Sequence, residues 1–302
     1  MVFSCSLDAQ IPVFQALGSD IRVRIMKLIA AADGISPGQI SQKLGIPPST
    51  LSPHIAKLHE CGLIRFEDVP SAHGTQKLCY LAMEQIIVSL DAQSNRSRVI
   101  QSEIPIGQYS DFSIEPTCGL STTEAFIGKL DEPCSFTYQE RFQAGILWFT
   151  TGYLEYILPN TVPYGHTIKQ LSLSFELSSE APQHNNDWPS DIRFSLNGTT
   201  LGLWTSPGDF GDRRGDLNPS WWYDFLNQYG ILKNLTITDD GTFLDGERIS
   251  PVTVQMLQLD YASVMKFRFS VDPGTPHSKG LTLYGRGFGD YNQGIRMTVQ
   301  YE

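Results

Sequence analysis

The spacing of apolar residues changes its period near residue 100, and this change constrains the fold more than any other feature of the chain. In the segment 20–33, isoleucine and leucine recur at the spacing of one helix face, with Asp20 as the expected N-cap. Farther along, apolar and polar residues alternate within short segments such as 171–177, as they do in half-buried strands. The sequence therefore predicts a multidomain α+β protein, with a helical domain at 1–98 and an all-β sandwich or jelly roll at 99–302.

Turn signals support this division. Asn-Gly or Asp-Gly pairs, which favour tight hairpins, occur at 197–198, 240–241 and 245–246. The polar segment 91–101 is the predicted linker between the two domains.

Cysteine usage and hydropathy bear on the compartment. No apolar run approaches the ~20 residues that a membrane-spanning helix needs. The first ten residues lack the basic and apolar regions of a secretory signal. The cysteines are odd in number and scattered, which favours reduced thiols and a cytoplasmic protein. They are Cys5, Cys61, Cys79, Cys118 and Cys134.

The net charge of −10 is distributed unevenly. Residues 1–98 carry nine Lys and Arg against eight Asp and Glu, so the acidity lies almost entirely in residues 99–302. A nearly neutral first domain is compatible with nucleic-acid binding if its cations share one face, but it does not favour strong non-specific binding.

The segment 35–64 contains two helices joined by a sharp turn. Ser36 is a predicted N-cap with Pro37 at the first helical position, and Gly45 allows the turn. A second helix follows with Leu51, Ile55 and Leu58 on one face. Strands that begin near 63 and end near 81 then form a hairpin, with its polar tip at 71–76.

This pattern resembles the helix-turn-helix and wing of ArsR-type winged-helix regulators. The resemblance covers about the first 95 residues and implies a double-stranded DNA partner, with the second helix in the major groove. The matching residues are Ser36, Pro37, Gly38, Ile40, the run Leu44 to Ser52, His54, Leu58, Gly62, Leu63 and Ile64. The DNA-contacting residues that it implies are Ser49, Thr50, Ser52, His54 and Lys57 on the helix, and His73, Thr75, Gln76 and Lys77 on the wing.

Each of these residues also has a structural interpretation. Ser49 and Thr50 can serve as helix caps, and His54 can be an ordinary solvated histidine. Pro53 departs from the family pattern, because it removes a helical hydrogen bond unless the helix begins as late as Thr50.

The resemblance also raises the question of metal sensing. The helix before the recognition helix has no cysteine, and the predicted C-terminal helix Met83–Ser94 has no histidine, so no metal site is predicted. No cofactor is predicted either. A homodimer is expected because one helix-turn-helix reads only a half-site. Its contacts are expected from Val13, Phe14, Leu17, Ile86, Ile87 and Leu90 on the flanking helices.

The second domain concentrates aromatic, charged and amide residues in two loop-rich stretches, 187–229 and 284–293. Aromatic faces beside planar polar groups are typical of sites for a small polar ligand such as a carbohydrate. The structural alternative is that the tryptophans are core and that the charged residues form an internal ion-pair network. The candidate ligand-binding residues are Trp188, Asp209, Asp212, Arg213, Trp221, Trp222, Arg286 and Asp290.

Three functions are compatible with these observations. The first is a DNA-binding transcriptional regulator, not an enzyme, whose β domain responds to a small polar ligand. The second is a regulator whose β domain is a ligand-blind oligomerisation or protein-docking module. The third is a DNA-tethered carbohydrate-active enzyme with a carboxylate pair such as Glu176 with Asp187, or Asp209 with Asp212.

Overall fold

The computed structural model of the protein divides into two units, Met1–Ser94 and Asn95–Glu302. Each unit has a hydrophobic core of its own. The structure describes residues 2–6, 11–32, 34–71, 74–83, 85–89, 98–259 and 261–302.

The first unit consists of helices followed by an antiparallel hairpin, together with a parallel pair of strands from its two ends. Its elements are β1 (Val2–Ser6), α1 (Ile11–Leu17), α2 (Asp20–Ala30), α3 (Pro37–Leu44), α4 (Pro48–Glu60), β2 (Ile64–Ser71), β3 (Gly74–Leu81) and β4 (Gln85–Ser89).

Local signals explain where α2 and α3 begin and end. The Ser36 hydroxyl accepts a hydrogen bond from the N–H of Gln39 at 3.3 Å, and the Gln39 side chain accepts one from the N–H of Ser36 at 2.9 Å. This capping box begins α3, and Gly45 ends it in the left-handed conformation with φ of 66°. In contrast to the prediction, Asp20 is not a cap. It is the first residue of α2, where the negative charge of a carboxylate interacts favourably with the helix dipole.

The prediction of a helix at Met83–Ser94 is wrong. Residues Gln85–Ser89 form a strand that pairs in parallel with Val2–Ser6. The run Ile-Ile-Val within this strand favours extended backbone, because branching at Cβ crowds a helix. Leu90 lies outside the described residues.

Two further predictions need correction. Val13 was predicted to contact the second copy of a dimer. It is buried in the core of its own unit, so it cannot make this contact. The predicted linker extended to residue 101, but β5 begins at Arg98 and is paired from there. Residues 91–97 of that linker lie outside the described residues.

The second unit is a β-sandwich, as predicted. One hydrogen-bonded system joins 12 strands of the described chain. They are β5 (Arg98–Ile104), β6 (Asp111–Ser121), β7 (Ile146–Leu158), β8 (Ile168–Ser178), β9 (Ser190–Leu196), β10 (Thr199–Ser206), β11 (Ile231–Thr238), β12 (Gly241–Leu244), β13 (Glu247–Ser250), β14 (Met265–Val271), β15 (Leu281–Tyr284) and β16 (Ile295–Tyr301).

Two layers arise because β7 pairs with different strands along its length. Residues 146–149 pair with β15, which leads to β8, β11, β12 and β13, whereas residues 152–158 pair with β14, which leads to β9 and β10. β6 pairs with both parts of β7. Rings from the two layers meet in the core, where the centroid of Phe175 on β8 lies 4.8 Å from that of Phe269 on β14. The sandwich core is therefore filled by side chains from both layers.

Candidate functional site

Helix α4 is held by its apolar face, which fixes the side that it leaves exposed. Leu51, Ile55 and Leu58 are buried in the core of the first unit. Ser49, Thr50 and Ser52 are exposed, and His54 and Lys57 are half-buried at the edge of that face. The sequence prediction of which residues of α4 face inward is confirmed.

Lys57 is held only weakly. Its Nζ lies 3.7 Å from a carboxylate oxygen of Glu60, one turn along α4, and the two side chains are 41% and 66% exposed. Exposed pairs of this kind stabilise a protein by ~1 kcal/mol or less. Lys57 can therefore exchange this carboxylate for another anion at little cost.

Pro53 lies inside α4, because the helix begins at Pro48 and not at about Thr50. Proline has no N–H, so the Ser49 carbonyl, four residues earlier, has no intrahelical donor at that position. The outward face of α4 at this point consists of the short side chains of Ser49, Pro53 and Ala56, which are all exposed.

The hairpin of β2 and β3 supplies cations beside α4. The Lys77 Nζ lies 4.1 Å from the centroid of the Phe66 ring, and the Arg65 guanidinium lies 4.9 Å from that of Tyr80. Gln76 and Lys77 are exposed. Of the other predicted wing residues, Thr75 belongs to β3 but its side chain is outside the described structure, and His73 is outside it altogether.

A groove of ≈870 Å³ separates α4 from the hairpin. Ser52, Ala56 and His59 line it from α4, at the spacing of one helix face, and Arg65 and Lys77 line it from the hairpin. The sequence analysis missed His59 and Arg65. The signals available in the sequence were the spacing of His59 from Ser52 along α4 and the position of Arg65 in the first strand of the wing.

In the second unit, the stretches around 213 and 290 adjoin each other and are joined directly by hydrogen bonds. Arg213 donates to both carboxylate oxygens of Asp290, at 3.0 and 2.5 Å, and its guanidinium lies 3.8 Å from the centroid of the Tyr229 ring. The Tyr229 hydroxyl donates to Asp212 at 2.6 Å. These four residues form one network that holds the loops together.

The two adjacent tryptophans differ in environment. Trp222 is 1% exposed and packs against Phe288 and Trp148, with its Nε1–H donated to the Asn227 carbonyl at 2.9 Å. A ligand cannot stack on this ring. Trp221 is half-buried and donates its Nε1–H to the Thr123 carbonyl at 2.6 Å.

The remaining predicted ligand residues lie in separate places. Trp188 donates to the Glu180 carbonyl at 2.8 Å, with the Lys279 Nζ 4.0 Å from the centroid of its ring. Arg286 donates to both carboxylate oxygens of Glu103, at 2.7 and 2.9 Å. Each charged or indole group among the eight predicted residues is thus bonded to a protein partner.

Three carboxyl groups of the second unit are buried. Glu176 accepts hydrogen bonds from the backbone N–H groups of Gly230, Asp290 and Tyr291, and burial raises its pKa to about 8 against those donors. Burial also raises the pKa of Glu180 well above its usual value, and the charge of the nearby Asp209 raises it further. Burial likewise raises the pKa of Asp209.

In each of the two carboxylate pairs considered for catalysis, one carboxyl group is buried and the other is exposed. Glu176 and Asp209 are buried, whereas Asp187 and Asp212 are exposed.

We expect these buried carboxyl groups to make the second unit less stable as the pH rises. Between the ordinary carboxyl pKa and the raised values, the folded state binds more protons than the unfolded chain, so the free energy of unfolding falls with increasing pH. Urea unfolding followed by tryptophan fluorescence reports this unit alone, because all five tryptophans lie in it. The expected fall from pH 5.5 to 8.5 is about 3 kcal/mol from Glu176 alone. Glu180→Gln should reduce the total fall and Glu140→Gln, at an exposed position, should not. A free energy of unfolding that stays constant or rises over this range would contradict the expectation.

The described residues contain no grouped metal ligands, and four of their cysteines are unpaired. Among the described residues, no three His, Cys, Asp or Glu side chains are grouped so that they could hold a metal ion. Cys61, Cys79, Cys118 and Cys134 are free thiols. Burial raises the pKa of Cys118 to about 12, so this thiol is unreactive.

The elements of the first unit define a winged helix-turn-helix: α3 and α4 are the two helices of the motif, and the hairpin of β2 and β3 is the wing. Residues 19–65 match the sequence model described as bacterial regulatory protein, arsR family. The helix-turn-helix is therefore of the arsR family type, and the resemblance predicted from the sequence is confirmed. Within the described ranges, no helix has the length and apolar character needed to cross a membrane.

Comparisons with other proteins add little for the second unit. No curated protein matches the chain. The CBM36-1 domain of a multidomain xylanase from the hindgut metagenome of Trinervitermes trinervoides is similar in structure over 68% of this chain and 96% of that chain, with 10% identity and a TM-score of 0.24. The Agl-KA catalytic domain is similar over 52% of this chain and 21% of that chain, with 7% identity and a TM-score of 0.25. The Emp47p carbohydrate recognition domain is similar over 52% of this chain and 76% of that chain, with 12% identity and a TM-score of 0.15. Likenesses this low do not bear on function.

Proposed function

We propose that the protein is a sequence-specific, DNA-binding transcriptional regulator without enzymatic activity, whose β-sandwich unit binds a small polar ligand. The observation that carries the DNA-binding part is the exposed face of α4. Its apolar side is buried, so the hydroxyls of Ser49, Thr50 and Ser52 face solvent within a helix-turn-helix of the arsR family type.

In this proposal α4 enters the major groove. Ser52 and His54 contact base edges, where hydroxyl and imidazole groups can donate and accept hydrogen bonds. Lys57, and Lys77 from the wing, neutralise phosphates, and Gln76 contacts the backbone. The short side chains of Pro53 and Ala56 allow close approach and suit contact with thymine methyl groups. We add Arg65 and His59 to the set, because both line the groove beside α4.

We also propose that the regulator acts as a cytoplasmic homodimer. One helix-turn-helix reads a short half-site, and a two-fold pair reads two half-sites about 10 bp apart or a multiple of this distance. The free thiols of Cys79 and Cys118 are compatible with a reducing compartment.

Selection from a random duplex pool by the full-length chain tests the DNA-binding proposal. We expect enrichment of paired half-sites with the spacing of a helical turn, bound at least about a thousandfold more tightly than the unselected pool. A variant with Ser52 and His54 replaced by alanine should keep its binding to the unselected pool but enrich a different or weaker motif. If the wild-type chain enriches no sequence, the protein is not a sequence-specific regulator.

A further inference from the structure

The second unit also contains a cleft that is lined by none of the eight predicted ligand-binding residues. In the strand order of the sandwich, β10 is at one end and β13 at the other. The cleft lies between β10 on one side and β11 to β13 on the other, and its volume is ≈340 Å³. This volume lies within the range of small-molecule sites.

A close approach between the two layers forms one wall of the cleft. A Cβ atom on Gly202 of β10 would lie 2.3 Å from the Cδ1 atom of Ile249 on β13. Glycine at this position thus lets Ile249 pack directly against the β10 backbone, next to an irregularity in the pairing of β10 with β9. Leu203 and Trp204, the next residues of β10, line the cleft, and the Thr205 hydroxyl donates a hydrogen bond to Asp191 on β9 at 2.7 Å.

The cleft joins an aromatic ring to a nearly buried ion pair. Lys233 pairs with Asp245, and the side chains of the two residues are only 11% and 22% exposed. The Lys233 Nζ lies 4.8 Å from the centroid of the Trp204 ring. Asp245 is held in place by a hydrogen bond from the Asn234 N–H at 2.8 Å. Glu247, at the mouth, is exposed.

This chemistry favours some classes of ligand over others. A carboxylate or phosphate would meet Asp245 and Glu247, and an organic cation would meet Lys233. A purely apolar ligand would cover the ion pair without satisfying its remaining donors and acceptors. A neutral polyhydroxylated molecule has neither difficulty, because each hydroxyl can accept from the ammonium group and donate to a carboxylate. Its C–H face can pack on the indole ring.

We propose that the cleft between β10 and β13 is a saccharide-binding site. Trp204 contacts the apolar face of a sugar ring, and Lys233, Asp245 and Glu247 bind its hydroxyls. The proposal rests on the proposed ligand-binding function of the second unit, and it places the ligand away from the network of Arg213 and Asp290.

The test is titration of the uniformly ¹⁵N-labelled full-length chain with neutral gluco-, xylo-, manno- and galacto-oligosaccharides, observing the tryptophan indole N–H signals. The Trp204 signal is assigned from Trp204→Phe. We expect one sugar series to shift the Trp204 signal and to leave that of buried Trp222 in place. Glu247→Gln should weaken binding about tenfold, because a charged hydrogen-bonding partner is lost. Glu140→Gln is the matched exposed control and should bind as the parent does.

Because Trp204 also packs on the sandwich core, Trp204→Ala risks unfolding the unit, and the exposed Glu247 provides the decisive variants. Glu247→Ala should reduce binding at least as much as Glu247→Gln. If a sugar binds but neither Glu247 variant lowers its affinity, the cleft is not the site, although a ligand-binding β unit survives. If no sugar in the panel binds, the saccharide site is overturned while the DNA-binding test above is unaffected.

Discussion

Replacing both Lys57 and Lys77 with alanine is expected to weaken binding to any duplex DNA by about a hundredfold, or about tenfold for each lysine. Each ammonium group neutralises one phosphate in the proposed complex, and its loss also removes the release of a counterion. The slope of log K against log[salt] should therefore fall by about 0.9 for each lysine. Both side chains can move to reach a phosphate. Lys57 has only a weak partner in Glu60, and Lys77 lies against the Phe66 ring.

The charge-matched control is Lys27→Ala, on an exposed position of α2 outside the helix-turn-helix and the wing. Fluorescence anisotropy with a labelled duplex over a series of salt concentrations measures both affinity and slope. Retention of the parental slope in the double variant, or an equal loss in Lys27→Ala, would show that α4 and the wing do not face the phosphates as proposed.

Trp222→Ala is expected to lower the free energy of unfolding of the second unit by about 3–5 kcal/mol. The indole is fully enclosed by Phe126, Trp148, Trp221 and Phe288, so its removal leaves a large cavity. It also leaves the Asn227 carbonyl without its donor. Trp222→Phe retains much of the packing and should lose less than Trp222→Ala.

Trp221→Ala provides the comparison, because this ring is only half-buried, and a loss of about 1–2 kcal/mol is expected. Urea unfolding followed by fluorescence of the remaining tryptophans measures all three variants. A loss below 1 kcal/mol for Trp222→Ala would mean that the ring is not part of a packed core, and the interpretation of Trp222 as structural would fail.

The parts of the fold that were predicted correctly depend on short-range signals. The N-cap Ser36, the left-handed Gly45 and the apolar face of α4 each involve residues within a few positions of one another. The alternation of polar and apolar residues likewise identified strands such as β8 and β16. Such signals act before the chain has a tertiary structure, so they can be identified in the sequence directly.

The errors concern partners that are distant along the chain. Gln85–Ser89 is a strand because it pairs with Val2–Ser6, more than 80 positions earlier, and no local pattern encodes that pairing. The ligand prediction has the same weakness. Composition indicated that the loops around Arg213 are organised, but the bidentate partner Asp290 is 77 positions away. Trp204, Lys233 and Asp245 come from different strands or the turns between them, and only the fold brings them to one cleft.

The sharing of β6 and β7 between both layers of the sandwich has a consequence for cooperativity. Each of these strands is hydrogen-bonded along its length within one system that includes both layers. Separating one layer therefore breaks backbone hydrogen bonds that also hold the other layer. The β unit thus has no subset of strands that could persist as an independent folded half. We therefore expect a local loss of packing on either layer to lower the stability of the whole unit.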